Sequence, residues 1–185
     1  MDSYSLHKKS RVLNYNPGFS KYRRQQIQID LVDIQKLANQ NDGYHYLLTG
    51  IDTFTRFGFC EPLKNKKSNT VLNGFKRMMR TAVKYPNSVV SDSGSEFINT
   101  KFIEFCRNNS IKCSQNFTSV HAPYVERYNR SIKNKIYAFM DGNNTERFID
   151  VLPDIINTYN NTIHRMIGLT PKEAEKKKIT AKLEI

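Results

Sequence analysis

The sequence predicts an α/β fold built on a five-stranded mixed sheet flanked by helices. Three observations lead there. The first third alternates apolar and polar residues with a period of two, interrupted by turn signals. From Ser68 onward, stretches of helical periodicity alternate with short apolar runs. The 185 residues, 38% hydrophobic, suffice for one sizeable core and leave no room for a second.

The elements follow in order. From Gln26, residues Ile27, Ile29 and Leu31 fall on one side and Gln28, Asp30 and Val32 on the other, as in a strand with Asp30 at its middle. After a turn signal at 39–43, residues 44–52 read as a second strand and 55–60 as a third, so the chain opens with an antiparallel meander. Ser68 is expected to cap a helix whose apolar residues Val71, Leu72, Phe75, Met78, Met79 and Ala82 share one face. Residues 88–91 form a short strand that stops at Asp92, followed at once by Ser93-Gly94-Ser95. An acid at the carboxyl end of a strand, next to a glycine turn, is where α/β sheets carry functional groups. A helix over about 99–109 and a fifth strand over 111–115 come next. Residues 116–123 lack any periodicity and read as a mobile loop. Residues 124–140 are helical, with Val125, Tyr128, Ile132, Ile136 and Phe139 in one stripe. A further helical stretch over 146–163 is expected to kink or break at Pro153, and Thr170-Pro171-Lys172-Glu173 is a capping box opening a short terminal helix.

Composition narrows the function classes. With 29 Lys+Arg against 17 Asp+Glu, the formal charge is +12. That excess favours a polyanionic partner, nucleic acid being the commonest, and carries no information on sequence preference. Residues 1–25 hold Lys8, Lys9, Arg11, Lys21, Arg23 and Arg24 against Asp2, and read as a basic extended arm or linker. The core domain is expected over 26–178 and a tail over 179–185. No apolar run approaches the roughly 20 residues of a membrane helix, and no signal-peptide pattern opens the chain. Cys60, Cys106 and Cys113 lack CxxC spacing, and His7, His45, His121 and His164 are scattered, so a zinc module is not encoded. The cysteines read as small buried hydrophobes in a reducing compartment.

Three acids stand out. Asp30 lies within an otherwise buried strand, where an uncompensated charge is costly. If the first and fourth strands are neighbours, Asp30 and Asp92 lie side by side, and a helix starting after the loop can present Glu126 to both. Three convergent carboxylates are stabilised by a hard divalent cation, most often Mg²⁺. Two such ions can activate an attacking oxygen and stabilise a leaving one in phosphoryl displacement. Any one acid would ordinarily be a solvated surface group or a helix cap. The long helix supplies the context: Asn129, Arg130 and Lys133 follow Glu126 by three, four and seven residues on one face, which suits a phosphate backbone lying across a metal site.

At these residues the chain resembles a known family. It looks like the catalytic core of the retroviral-type integrases, the DDE polynucleotidyl transferases with a ribonuclease-H-like fold, and is most similar to the integrases of Maverick/Polinton elements and virophages. The resemblance runs from about Gln26 to Glu175 through QIDLVD (28–33), LLTGIDTFTR (47–56), PLK (62–64), SDSGSEF (91–97), VERYNR (125–130) and YNNT (159–162). It implies that Asp30, Asp92 and Glu126 form the metal-binding catalytic triad, and that Asn129, Arg130 and Lys133 approach the DNA. It further implies Mg²⁺ as cofactor, replaceable by Mn²⁺, with element ends and target DNA as substrates. A homodimer through this domain, a higher oligomer on DNA, and action in a host nucleus or packaging in a virion are also implied. The expected reactions are 3′-end processing and strand transfer. A ribonuclease-H-like nuclease and a catalytically inactive DNA-binding module are the alternatives on the same fold. The spacing from Asp92 to Glu126 is two residues shorter than the retroviral one, and Ile27 stands where many relatives carry Trp. Asp33 and Asp52 compete for the first-acid role, Asp52 falling in a block where the acid is usually structural. Glu96 is expected to support its loop. The zinc domain and the carboxy-terminal barrel or chromodomain of full-length relatives are not encoded, so an isolated core is expected.

Overall fold

The structure, a computed structural model, describes residues 20–80, 84–91, 94, 96–115 and 122–176. Five strands, β1 (Gln26–Asp33), β2 (Tyr46–Asp52), β3 (Gly58–Leu63), β4 (Ser88–Ser91) and β5 (Lys112–Gln115), form one sheet in the order β3-β2-β1-β4-β5. The first three strands pair antiparallel, while β4 runs parallel to β1 and β5 parallel to β4. Each parallel step needs a crossover, supplied by α1 (Ser68–Arg80) before β4 and α2 (Thr100–Asn108) before β5. Three more helices follow: α3 (Pro123–Gly142), α4 (Leu152–Asn160) and α5 (Pro171–Lys176). This is the five-stranded mixed sheet flanked by helices that the sequence predicts.

The alternation in β1 divides the core between two faces. Ile27 and Ile29 join Leu48, Phe59 and Leu63 under the α1 stripe of Val71, Phe75 and Met78, with Phe102 and Cys106 of α2. Val32 joins Leu47 and Ile51 on the opposite face, against Val125, Tyr128, Ile132 and Ile136 of α3 and Leu152 and Ile155 of α4. A strand covered on both sides can hide polar residues only where a partner meets them. Gln28, Asp30 and Thr49 fall on the α3 side, so the helix decides what becomes of them.

Several boundaries differ from the sequence reading for local reasons. β3 begins at Gly58 rather than Thr55, because the buried Asp52 carboxylate gathers the preceding turn. Its Oδ1 accepts Phe54 N at 2.8 Å and Thr55 N at 3.0 Å, and Arg56 adopts φ +61°. Pro62 is tolerated because β3 is an edge strand. Ser68 is the first helical residue of α1 and not its cap, Val71 N donating to Lys67 O instead. Asn99 does cap α2, accepting Phe102 N at 3.0 Å. Pro153 neither kinks nor breaks a long helix: it sits in the first turn of α4, where its missing N–H is not needed, and residues 146–151 precede the helix. The capping box at α5 is reciprocal, Glu173 N donating to Thr170 Oγ1 and Thr170 N to Glu173 Oε2.

Residues 20–25, the described part of the basic opening stretch, are built into the domain. Arg24 is 7% exposed, its guanidinium paired with Glu175 at 2.9 Å and with Asp52 at 3.5 Å. Residues 1–19, most of the loop expected at 116–123, Ala82, and the tail over 177–185 lie outside the described residues. Among the described residues no helix is long and apolar enough to cross a membrane.

Candidate active site

β1 is the strand at which the sheet changes direction, with antiparallel β2 on one side and parallel β4 on the other. Such a switch point is where α/β sheets open a crevice for ligands. The β1–β4 ladder pairs Gln26 with Ser88, Ile27 with Val89 and Gln28 with Val90, and β4 ends at Ser91. β1 continues past that end, so Asp30 lies where its parallel neighbour has stopped.

The half-buried Asp30 carboxylate has two described hydrogen bonds. Oδ1 accepts Leu31 N and Oδ2 accepts the side-chain amide of Asn129, both at 2.7 Å. Across the β2 ladder its partner is Thr49, whose hydroxyl donates to Asp30 O at 3.2 Å. Two residues earlier, the buried Gln28 side chain reaches the same helix: its Oε1 accepts Tyr124 N at 3.0 Å and Val125 N at 3.2 Å. The cap residue of α3, Ala122, offers no side-chain acceptor, so a strand glutamine caps the helix from across the domain. Sequence reasoning missed this residue. Its only signal was polarity on the face that also carries Asp30.

Glu126 stands exposed in the first turn of α3, where a negative charge is favoured by the helix dipole. It lies three residues before Asn129 and so on the side of the helix that meets Asp30. Asn129, expected to approach DNA, is 8% exposed, with its amide nitrogen donating to Asp30 Oδ2. Its Oδ1 is buried with no hydrogen-bond partner among the described residues. Arg130 and Lys133 continue the Glu126 side of the helix and are exposed. Asp92 lies outside the described residues, one position beyond the end of β4.

The competing acids are otherwise engaged. Asp52 is fully buried, and besides the turn amides it accepts Arg24 N at 2.7 Å and pairs with the Arg24 guanidinium. That charge organises a turn. Asp33 precedes the 3-10 helix Gln35–Gln40, whose first residue donates to it through both its backbone and side-chain nitrogens. Those two donors hold the Asp33 carboxyl below the usual carboxylate range. Burial pushes the Cys60 thiol well above its ordinary value.

The described donor set is made of hard oxygens: the Asp30 and Glu126 carboxylates and the orphaned Asn129 Oδ1. That chemistry fits Mg²⁺ or Mn²⁺ and not a soft metal. Among the described residues no group of three or more metal-ligating side chains occurs, two of the three expected acids being described.

Residues 23–124 match the integrase core domain family. A transposon-derived protein of Caenorhabditis elegans is 29% identical over 143 residues, which cover 77% of this chain and 50% of that protein. The Pro-Pol polyprotein of simian foamy virus type 3 is 25% identical over 137 residues, covering 72% of this chain and 12% of the polyprotein. The chain thus spans about half the length of the first relative and a small part of the second. Among solved structures, the HTLV-2 integrase catalytic core domain in complex with magnesium superimposes with a TM-score of 0.70. It is 20% identical, over 85% of this chain and 99% of that one. Integrase cores of this kind are polynucleotidyl transferases on the ribonuclease-H-like fold. Since the family match spans more than half of the sequence and the sheet order and helices agree with solved integrase cores, the chain belongs to the integrase core domain family.

Proposed function

We propose that this chain is a DNA integrase core, which trims the 3′ ends of an element's DNA and joins them to target DNA by direct phosphoryl transfer. The observation that carries the reading is the Asp30 carboxylate, held by Asn129 at the end of β4 and one helical turn from Glu126. Asp30, Asp92 and Glu126 would hold Mg²⁺, or Mn²⁺ in its place. When bound, the cation supplies charge stabilisation at the attacking and leaving oxygens of an in-line displacement. Asp92 joins the set because it directly follows β4, the strand paired in parallel with β1. Asn129 fixes the Asp30 rotamer. Arg130 and Lys133, exposed along the same side of α3, hold phosphates and position the DNA end. The protein forms no covalent bond to DNA. Water attacks the phosphorus in end trimming and the freed 3′ hydroxyl attacks it in joining, so position and charge do the chemistry. Pairing through this domain and assembly of a higher oligomer on DNA extend the reading to partners, and a host nucleus to location.

The test is strand transfer in reverse, resolving a branched DNA, which demands least of the protein outside the core. Wild type is expected to be active with Mg²⁺ or Mn²⁺ and silent in EDTA. Asp30→Asn and Glu126→Gln are expected to retain DNA binding while losing about two orders of magnitude or more in rate, the scale of removing a transition-state charge partner. A wild-type chain inert on branched DNA with both metals, or an Asp30→Asn variant as active as wild type, would overturn the proposal.

A further inference from the structure

α3 carries a second functional stripe on the flank away from Asp30. Tyr124, Arg127 and Tyr128 recur at helical spacing and form one wall of a cavity of about 310 Å³. Arg56 closes it from the β2–β3 turn, Tyr159 from the end of α4, and His164 from the segment that follows. Three aromatic rings and three basic groups therefore meet in a space at the small end of ligand pockets.

Five features point to an anionic, aromatic occupant. The Arg56 guanidinium lies 4.1 Å from the centroid of the Tyr124 ring, the geometry of a stacked cation and aromatic. Arg56 reaches that place from a backbone at φ +61°, a conformation that costs a non-glycine residue energy, and its side chain is tied back to Thr53 O. Tyr128 and Tyr159 pack edge to face at 4.8 Å, a rigid apolar back wall. Among the described residues no carboxylate lines the cavity. Burial, Arg56 and Arg127 together hold the His164 imidazole below its ordinary value, as expected of basic groups gathered without an anion among them.

We propose that this cavity is a nucleotide subsite, with the base against the Tyr124 and Tyr159 side and the phosphate between Arg127 and His164. Stacking on aromatic side chains with a cationic clamp is how proteins take up single unstacked nucleotides. The nucleotide has two sources: free in solution, or extruded from a bound DNA strand. Glu126 and Arg127 are consecutive, so a strand crossing the first turn of α3 passes from one flank to the other within about 10 Å, the helix diameter. The second source rests on the integrase reading, whereas the first does not.

The experiment is run in EDTA, which separates binding from catalysis. Deoxyadenosine monophosphate and inorganic phosphate are titrated by calorimetry. Single-stranded DNA carrying 2-aminopurine is followed by fluorescence. Arg127→Ala and His164→Gln are compared with wild type and with Arg107→Ala, an exposed cation on α2, with folding checked by circular dichroism. Free mononucleotide binding tighter than inorganic phosphate, and weakened about tenfold by Arg127→Ala but not by Arg107→Ala, supports a free-nucleotide site. A 2-aminopurine signal lost in Arg127→Ala, with no mononucleotide binding, supports the extruded nucleotide. Either probe responding equally to Arg127→Ala and Arg107→Ala, or neither responding to Arg127→Ala, overturns the subsite. Mononucleotide binding in a chain inert on branched DNA would uphold the subsite while sinking the integrase reading. Activity on branched DNA with no Arg127-dependent binding would do the reverse.

Discussion

Replacing Gln28 with Leu tests whether β1 controls the start of α3. The side chain is 6% exposed, and its Oε1 is the described acceptor for two backbone donors, Tyr124 N at 3.0 Å and Val125 N at 3.2 Å. Leucine is of similar size, so the change chiefly removes an acceptor. The loss resembles deletion of a helix cap, about 1–2 kcal/mol, with the Val125 donor buried and left unsatisfied. For a domain of this length that corresponds to a fall in Tm of about 3–6 °C. Urea unfolding followed by circular dichroism measures the first quantity and a thermal melt the second. The rate on branched DNA should fall by more than the lost folded population explains, because Glu126 is the residue after Val125. Gln28→Glu keeps an acceptor oxygen for the helix N–H groups but buries a charge two residues from Asp30, so it should recover only part of the stability. A Gln28→Leu variant within about 0.3 kcal/mol of wild type and fully active would refute the reasoning.

Three further outcomes are expected. Asn160, 4% exposed, accepts Gly58 N at 2.8 Å and donates to Gly58 O at 2.9 Å. Asn160→Ala strands both buried groups and should cost about 2–4 kcal/mol in urea titration, an unchanged midpoint counting against it. Asn129→Ala removes the side-chain amide that donates to Asp30 Oδ2 and should lower the rate on branched DNA about tenfold or more while DNA affinity is kept; equal losses of affinity and rate would assign Asn129 to DNA contact instead. His164 titrates below its ordinary value near 6.5 in the folded chain, so as pH falls through that value the unfolded chain takes up a proton that the folded chain resists. Stability should therefore decline from pH 7 toward 5, and His164→Gln should flatten that part of the curve in pH-dependent urea titrations.

Much of the architecture was legible because it is periodic. The alternation from Ile27 to Val32 placed Asp30 on the side away from Ile27 and Ile29, and the two faces of the sheet divide the core along that line. The stripe of Val71, Phe75 and Met78 was likewise enough to orient α1. What stayed hidden is aperiodic and long-range. Gln28 meets Tyr124, and Asn160 meets Gly58, across about a hundred residues, and a single hydrogen bond at that separation leaves no repeating signal. The onset of β3 was misplaced because its turn is organised by the buried charge of Asp52, not by turn residues. Gly58 shows a similar constraint: an added Cβ would come within 2.4 Å of the Tyr128 ring, a contact that only the packed helix reveals. Pro153 was read as a breaker because its position within the helix depends on where the preceding turn ends.

The two bonds from β1 to α3 suggest how Glu126 is placed. Gln28 and Asp30 are two residues apart on one strand face, a rise of about 6.6 Å. The groups they hold, Val125 N and the Asn129 side chain, are four residues apart on the helix, a rise of about 6 Å. The spacings agree, so strand and helix are pinned at two points running in the same direction, with Glu126 between the pins. Releasing either pin leaves the other, and the first turn can pivot but not leave. Releasing both frees it. The double variant Gln28→Leu/Asn129→Ala should therefore lose more rate on branched DNA than the product of the two single losses. Its stability loss should stay near their sum, because the apolar stripe of α3 still anchors the rest of the helix. Rates that simply multiply would mean that each bond acts on its own partner alone, and that something other than β1 sets the position of Glu126.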